Sequence, residues 1–296
     1  MFLVAGVSGN TGSKVADLLL SKGEQVRVVV RDEAKGAAWK AKGCEVAVGS
    51  LRDPGFVSSA FEGIASAYLL LPPAVDADDP LAAGRALIDG YVEALSQNDH
   101  LETVAFLSSL GAQYDKFNMG LINTASYAET KLLGVNVQFF FLRAAYFYEN
   151  WLASLPAMIK EGVLYTFLRE SFPIPMVSTT DIARAAVEAL LDPTKPWDVL
   201  QIAGPRELNS FDVAEAFGKA LGKPIKVVTL PTEQIPEVMG GMGMKPKMGE
   251  AFRDMYDAMH MGRVELKDRP FYLYRGDVTL EQFAADAVKN ATAAAG

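Results

Sequence analysis

The sequence contains few of the residues from which disulfides and metal sites are built. Among its 296 residues, cysteine occurs once, at Cys44, and histidine twice, at His100 and His260. A single cysteine excludes an intrachain disulfide, and so few ligands argue strongly against a zinc site. We therefore expect no metal centre. Because chains without disulfides are typical of reducing compartments, we also expect a cytoplasmic protein.

Positive charge and long hydrophobic runs are also scarce. The formal net charge is -8, so nucleic acid is not an expected partner, because phosphate binding requires a basic surface. The longest apolar run, at residues 137–142, ends at Arg143. It is far shorter than the ~20 residues that cross a bilayer, so we expect no membrane span. The residues give no indication of an oligomeric state.

Hydrophobic residues make up 50% of the chain, and they fall into alternating strand and helix patterns. Short apolar runs that end near glycine, proline or serine predict strands at 2–5, 25–30, 45–48, 67–71, 103–107 and 137–142. Amphipathic segments at helical spacing separate most of these runs. Strands that are apolar on both faces and alternate with helices predict an α/β protein with a doubly wound parallel sheet, the Rossmann fold.

A glycine-rich loop follows the first predicted strand and opens the first helix, with the sequence Gly6-Val7-Ser8-Gly9-Asn10-Thr11-Gly12. Gly6 permits a tight turn, Gly9 lets the backbone approach a pyrophosphate, and Gly12 lets the helix pack close to the strand. Free amides at the start of the helix favour an anion there. The pattern predicts dinucleotide binding by Gly6, Ser8, Gly9, Asn10, Thr11 and Gly12. The alternative is a surface loop with three turn glycines.

The chain therefore divides, by prediction, into an NAD(P)-binding domain at residues 1–150 and a second region at 151–296. After residue 150 the alternation of strands and helices becomes irregular. Irregular segments of this kind commonly fold over the carboxyl edge of a parallel sheet. We expect a smaller α+β C-terminal lobe that binds substrate, with some of its segments returning to the main sheet.

The end of the second predicted strand bears on the choice of cofactor. Arg31 stands at the strand end and Asp32 follows it. A guanidinium can hold a 2′-phosphate with two hydrogen bonds, whereas a carboxylate at this position holds the ribose hydroxyls of NAD. Arg31 favours NADP(H). The alternative is that Arg31 is solvated and that Asp32 contacts the ribose.

Other strand ends supply further candidates, because ligands in open α/β sheets bind at the carboxyl ends of the strands. Leu51 and Asp53 follow the third strand and would flank the adenine. Leu71, Pro72 and Pro73 follow the fourth and would line the path of the ribose. Ser108 follows the fifth, near the expected nicotinamide. Ordinary loop roles are the alternative for each of them.

Several of these segments together resemble the NmrA-like branch of the atypical short-chain dehydrogenases/reductases. The resemblance includes the glycine loop, Arg31, the Ser-Ser-Leu-Gly-Ala segment at 108–112, the segment 141–150 (FLRAAYFYEN) and the segment 177–183. That branch includes NADPH-dependent quinone oxidoreductases, triphenylmethane dye reductases and redox-sensing regulators. The resemblance implies that residues 147–150 border the nicotinamide and substrate, and that Arg31 meets the 2′-phosphate.

A proton donor is less clearly indicated. Tyr127 and Lys131 have the Tyr-x-x-x-Lys spacing of the wider superfamily and share one helix face. We expect Lys131 and the bound cofactor together to lower the pKa of Tyr127, which would make it a general acid, and Ser108 to orient the substrate oxygen. The alternative is a chance spacing. One departure supports that alternative: where the branch often has Lys or His, this chain has Ala125.

An aromatic cluster follows the sixth strand and predicts a pocket for flat apolar ligands. It contains Tyr146, Phe147, Tyr148 and Trp151, with Asn150 between them. We expect Tyr146, Phe147, Tyr148 and Asn150 to contact the cofactor; packing between the two regions is the alternative. Met255, Met259, His260 and Met261 are expected on the packing face of a helix.

These observations lead to two hypotheses about function. The first is an NADPH-dependent oxidoreductase that transfers hydride to a quinone, azo or other conjugated aromatic acceptor, so that its partner is a small aromatic or quinone-like substrate. The aromatic cluster favours this hypothesis. The second is a non-catalytic redox sensor that binds NADP(H), which Ala125 favours.

Overall fold

The computed structural model describes residues 1–267 and 272–293, and its centre is a parallel sheet of eight strands. In chain order the described strands are β1 (Phe2–Val4), β2 (Val26–Val30), β3 (Glu45–Val48), β4 (Ser66–Leu69), β5 (Thr103–Ser109), β6 (Gln138–Ala144), β7 (Tyr146–Phe147), β8 (Val163–Thr166), β9 (Ile174–Val177), β10 (Val199–Ala203), β11 (Glu207–Leu208), β12 (Lys226–Thr229) and β13 (Tyr272–Arg275).

Helices connect these strands and cover both faces of the sheet. In the described residues they are α1 (Gly12–Ser21), α2 (Glu33–Ala41), α3 (Pro54–Ala60), α4 (Pro80–Ser96), α5 (Ile122–Leu132), α6 (Leu155–Glu161), α7 (Thr179–Leu191), α8 (Ser210–Leu221), α9 (Ile235–Gly241), α10 (Pro246–His260) and α11 (Leu280–Ala293), with 3-10 helices at Tyr148–Ser154 and Thr232–Gln234. No helix in this part of the chain is long and apolar enough to cross a membrane.

The strand order in the main sheet is β13-β10-β6-β5-β4-β1-β2-β3, and every neighbouring pair is parallel. The chain starts at β1 in the middle, runs to one edge through β2 and β3, and then crosses to the other side of β1 through β4. The order therefore reverses between β1 and β4, which is where open α/β sheets bind ligands. The predicted doubly wound α/β fold is confirmed.

The two faces of the sheet bury different rows of the same strands, because successive side chains point to opposite faces. In β6, Phe139 and Phe141 pack under α3, α4 and α5, whereas Phe140 and Leu142 pack on the side of α1 and α7. The rings of Phe139 and Phe141 stack with their centroids 5.6 Å apart. Burial on both faces explains why the strands appear in the sequence as continuous apolar runs.

The region after residue 150 contributes to both the main sheet and a smaller structure. Strand β10 pairs with β6, and β13 pairs with β10, so two segments return to the main sheet. Three short strands form a second sheet in the order β11-β9-β7, and β8 pairs with β12. Helix α7 packs against α1 and the main sheet. The division at residue 150 into two domains stays a prediction.

Candidate functional site

The loop between β1 and α1 has the close packing that its glycines require. Gly6 has a φ of +69°, a left-handed conformation that favours glycine. A Cβ on Gly12 would lie 2.4 Å from the carbonyl oxygen of Ala5, so only glycine lets α1 start this close to β1. The Gly9 amide donates to the Gly6 carbonyl at 2.9 Å and closes the turn. The loop is therefore shaped by backbone contacts.

The start of α1 is suited to an anion. In the described chain, the Thr11 side chain makes no capping hydrogen bond, and the first turn contains no acidic residue. The first amides of a helix have no partner within the helix, and they lie at the positive end of its dipole. Ser8, Gly9 and Asn10 are exposed beside them. These donors fit the pyrophosphate of a dinucleotide.

At the end of β2, the two candidate cofactor-selecting residues differ in their contacts. The Asp32 carboxylate caps α2, where it accepts a hydrogen bond from the Lys35 amide at 2.9 Å. Arg31 is exposed, and its guanidinium has no hydrogen-bond or ion-pair partner among the described residues. The carboxylate is thus already engaged by the protein, whereas the guanidinium is available.

The third strand end holds the predicted adenine neighbours, and both have structural contacts. The Asp53 carboxylate caps α3 by accepting from the Gly55 amide at 3.0 Å. Leu51 is partly buried against the core under α3 and α4. Their predicted contact with the adenine stays a prediction.

A cavity of about 330 Å³ lies at the carboxyl ends of β4, β5 and β6. It is mostly apolar, and helices α4, α5 and α10 contribute to its walls. Its lining is Leu71, Pro72, Pro73, Ala74, Pro80, Gly84, Leu107, Ser108, Ser109, Leu121, Ile122, Thr124, Ala125, Ala144, Ala145, Tyr146, Phe147, Asn150, Met255, Met259 and Val264. The structure thus brings together Leu71, Pro72, Pro73, Ser108, Tyr146, Phe147 and Asn150 from the predicted set.

The cavity carries no formal charge on its walls. Among the described residues that line it there is no Asp, Glu, Lys, Arg or His, and Tyr146 is its one ordinary acid–base group. The Tyr146 hydroxyl lies 3.0 Å from that of Tyr256. Burial, followed by the neighbouring Tyr256, raises the pKa of Tyr146 well above its usual value. The phenol therefore holds its proton tightly and is a weak acid.

Beneath the cavity, Ser108 belongs to a buried polar network. Ser108 and Arg143 are direct neighbours in the β5–β6 register, and Glu129 of α5 lies over both. The Ser108 hydroxyl donates to Glu129 Oε1 at 2.5 Å. Arg143 donates from Nε to Oε1 at 2.9 Å and from Nη2 to Oε2 at 2.6 Å. Two parallel bonds of this kind fix the carboxylate in one orientation.

Tyr127 and Lys131 are not part of the cavity wall. The Tyr127 hydroxyl donates to Asp89 of α4 at 2.7 Å, on the outer side of α5, and the Lys131 ammonium lies 5.4 Å from the Tyr127 ring centroid. The hydrogen bond to Asp89 raises the pKa of Tyr127, and this effect outweighs that of Lys131, which lowers it as expected. The geometry gives no support to Tyr127 as a proton donor.

Tyr148 also lies away from the cavity. It is fully buried, and its ring packs at 5.6 Å from that of Phe283 in α11. Trp151 packs against the Tyr146 ring at the same centroid distance. For these two residues the packing alternative describes the contacts in the structure, and the contact of Tyr148 with the cofactor stays a prediction. Tyr146 and Phe147 are separated from Tyr148 because the chain turns into a 3-10 helix at that residue.

Met255 and Met259 of α10 line the cavity, although the sequence predicts only a packing face for them. Both lie one turn apart on the helix, so helical spacing alone is compatible with either role. A cavity wall and a core contact require the same apolar residues, and only the position of α10 distinguishes the two. Methionine side chains adapt readily to ligands of different shape.

Comparisons with known proteins agree with this architecture. The model of the NmrA-like family matches residues 1–284. The chain belongs to the NmrA-like family. The resemblance noted in its sequence is thereby confirmed.

The most informative relatives of this NmrA-like protein differ in activity. The NAD(P)H azoreductase of Xenophilus azovorans is 28% identical over 264 residues, which is 86% of each chain. The solved NADPH-dependent quinone oxidoreductase of Escherichia coli, in complex with NADPH, has a TM-score of 0.77 at 21% identity and covers 99% of this chain and 100% of its own. The transcriptional regulator NmrA, solved with NADP, has a TM-score of 0.73 at 16% identity, with 100% and 97% covered.

A second buried carboxylate of this NmrA-like protein links the glycine loop to the region after β6. Glu149 accepts from the Lys14 ammonium at 3.1 Å and from the Thr179 amide at 3.1 Å. The Thr179 hydroxyl also bonds to Glu149, and Lys14 to that hydroxyl. The first turn of α1, the 3-10 helix and the start of α7 are thus held together by one polar cluster.

Proposed function

We propose that this protein is an NADPH-dependent oxidoreductase whose substrate is a quinone, azo or other conjugated aromatic compound. The observation that carries the proposal is an uncharged, mostly apolar cavity at the same sheet edge as a glycine loop and an uncapped helix start. Flat apolar molecules suit such a cavity. The likeness to an azoreductase and to a quinone oxidoreductase supports the same substrate class.

The residues that would hold the cofactor are those of the predicted set that lie along this edge. Gly6, Ser8, Gly9, Asn10, Thr11 and Gly12 would bind the pyrophosphate through backbone donors. Arg31 would bind the 2′-phosphate, since Asp32 is engaged as a cap. Leu51 and Asp53 would flank the adenine, and Leu71, Pro72, Pro73, Tyr146, Phe147 and Asn150 would border the path towards the nicotinamide. The bound nicotinamide would supply a hydride, which is equivalent to two electrons and one proton.

The cavity residues would orient the acceptor and exclude water from it. Conversion of a quinone to its hydroquinone requires one proton besides the hydride. Tyr146 holds its proton tightly, and the described cavity wall contains no stronger acid. Solvent therefore supplies this proton, and acceptors that spread the added negative charge over a conjugated system react most readily.

A non-catalytic redox sensor is the second candidate. Ala125 at the cavity wall, and the absence of a strong acid from the described lining, favour it. The likeness of the fold to the regulator NmrA is compatible with it. In that case NADP(H) binding would change the affinity for a partner protein, and no acceptor would be reduced.

The two candidates are separated by following the absorbance of NADPH in the presence of a panel of quinones and azo dyes. The oxidoreductase requires acceptor-dependent loss of NADPH. If no compound in the panel causes NADPH to be oxidised, but a titration shows that NADPH binds, the result would favour the sensor. If no pyridine nucleotide binds, both candidates are wrong.

Cofactor choice is tested by titrating NADPH and NADH into the wild type and the Arg31→Ala variant. Removal of a charge-assisted pair is expected to weaken NADPH binding roughly tenfold or more and to leave NADH nearly unchanged. Lys40→Ala is the matched control, because it removes an exposed positive charge from the far end of α2. Tighter binding of NADH than NADPH by the wild type would overturn the role of Arg31.

A further inference from the structure

Each serine or threonine hydroxyl among the described residues of the cavity wall donates a hydrogen bond to another group of the protein. Ser108 donates to Glu129, Ser109 to the Leu110 carbonyl at 2.9 Å, and Thr124 to the Leu121 carbonyl at 2.6 Å. A hydroxyl has one proton and two lone pairs. Because the proton of each hydroxyl is already used in a hydrogen bond, these groups can accept a hydrogen bond from a ligand in the cavity but cannot donate one.

The direction of the Ser108 hydrogen bond is fixed by the charge of its partner. Glu129 receives two parallel hydrogen bonds from the Arg143 guanidinium. A carboxylate held in this way is ionised and accepts only. The proton between Ser108 and Glu129 therefore belongs to the serine.

Ser108 is also the least free of the three hydroxyls to turn. Its acceptor is a charged carboxylate in a buried setting, whereas Ser109 and Thr124 bond to neutral carbonyls. Hydrogen bonds to ionised groups are roughly twice as strong as neutral ones. Among the described residues the Ser108 hydroxyl has no other hydrogen-bond partner, so its lone pairs are available.

We propose that Ser108 is a specificity-determining hydrogen-bond acceptor, and that the cavity selects uncharged aromatic acceptors that carry a hydroxyl or N–H group. This inference rests on the proposed function and narrows its substrate class. The sequence-based expectation is that Ser108 orients a substrate oxygen, and the hydrogen bond to Glu129 makes Ser108 the acceptor in that contact. A plain quinone offers only carbonyl oxygens and leaves Ser108 unsatisfied, whereas a hydroxy-substituted azo compound donates to it.

The test compares two dyes that differ only in this donor, 4-hydroxyazobenzene and 4-methoxyazobenzene. Their dissociation constants are measured by dye titration in the absence of NADPH, and their KM values are measured in its presence. One net hydrogen bond corresponds to a preference of about fivefold for the hydroxy dye. The binding measurement does not depend on turnover, so it separates recognition from chemistry.

Three variants locate the source of the preference. Ser108→Ala should reduce the ratio of the two dissociation constants to below about twofold, mainly by weakening the hydroxy dye. Ser108→Thr keeps a hydroxyl on the strand and should restore the preference. Ser109→Ala is the matched control, because it removes a neighbouring cavity hydroxyl, and it should leave the ratio unchanged.

The proposal is overturned if the wild type shows no preference between the dyes, or if Ser108→Ala keeps the preference. It is also overturned if Ser108→Ala weakens both dyes equally, since that result indicates a merely structural role. Should neither dye bind, the inference about Ser108 fails, while NADPH oxidation with plain quinones shows separately whether the proposed function stands.

Discussion

The two buried glutamates of this protein, Glu129 and Glu149, have similar partners but different surroundings. Each accepts hydrogen bonds from one cation and one hydroxyl. Their side chains are 9% and 5% exposed. The cations differ: the Arg143 side chain is 8% exposed and the Lys14 side chain 37%. One ion pair is thus shut off from water, and the other opens to it.

This difference matches what each cluster holds in place. One cluster comes from three consecutive elements of the chain, with Ser108 in β5, Glu129 in α5 and Arg143 in β6. This cluster fixes the orientation of the Ser108 hydroxyl at the cavity. Glu149, Lys14 and Thr179 join three segments that are distant in sequence, and the cluster fixes the first turn of α1 against the region after β6. The buried Glu129–Arg143 pair therefore orients one group, the Ser108 hydroxyl. The partly exposed Glu149–Lys14 pair helps to assemble the edge of the sheet at which the glycine loop lies.

The largest expected effect comes from Glu129→Ala. It leaves the Arg143 guanidinium buried without its carboxylate, so we expect a loss of about 3–5 kcal/mol in the free energy of unfolding. Urea denaturation followed by circular dichroism measures it. The double variant Glu129→Ala/Arg143→Met should recover part of the loss, because it also removes the buried charge that has lost its carboxylate. A loss below about 1 kcal/mol in the single variant would contradict a sealed ion pair.

Glu149→Ala should lower the free energy of unfolding by a smaller amount, about 1–3 kcal/mol. It leaves the buried Thr179 amide without its acceptor, whereas the Lys14 side chain can turn to solvent. The same denaturation experiment applies, with Glu161→Ala, an exposed glutamate on α6, as the control. If Glu149→Ala lowers the free energy of unfolding as much as Glu129→Ala does, the distinction between the two clusters is wrong.

Lys14→Met should have a smaller effect, below about 1 kcal/mol, because a half-exposed ammonium interacts with its partner through screened charge. The difference between wild type and variant should shrink as salt is raised from about 0.05 M to 1 M. Unfolding is measured at both salt concentrations. A salt-independent difference would show that Lys14 is as sealed as Arg143.

The smallest effect is expected at a third carboxylate, the exposed Asp89, whose partner is Tyr127. Tyr127→Phe should change stability by less than about 0.5 kcal/mol and leave the turnover of quinones and dyes unchanged, since the hydroxyl is outside the cavity. Ser108→Ala is the comparison variant at the cavity. A fall in turnover of more than about fivefold with unchanged stability would restore Tyr127 as a proton donor.

Much of the fold and of the cofactor edge follows from local sequence features. The glycines at 6, 9 and 12 occur where a strand gives way to a helix, and the apolar runs define the strands that order the sheet. For the same reason Leu71, Pro72, Pro73 and Ser108 reach one cavity, since the carboxyl ends of parallel strands share an edge. Tyr127 and Tyr148 lie outside this cavity. Spacing along a helix does not say which neighbour Tyr127 faces, and a 3-10 helix begins at Tyr148 and places its ring in the core.

The sequence by itself determined the parallel sheet, the glycine turn and the family, because turn chemistry and hydrophobic periodicity act over a few residues. Only the tertiary structure decided that Tyr127 donates to Asp89, that Met255 and Met259 face the cavity, and that Glu129 accepts the hydrogen bond of the Ser108 hydroxyl. Those features depend on contacts between segments far apart in the chain. The direction of a hydrogen bond, in particular, is set by the charge of a partner that no local pattern specifies.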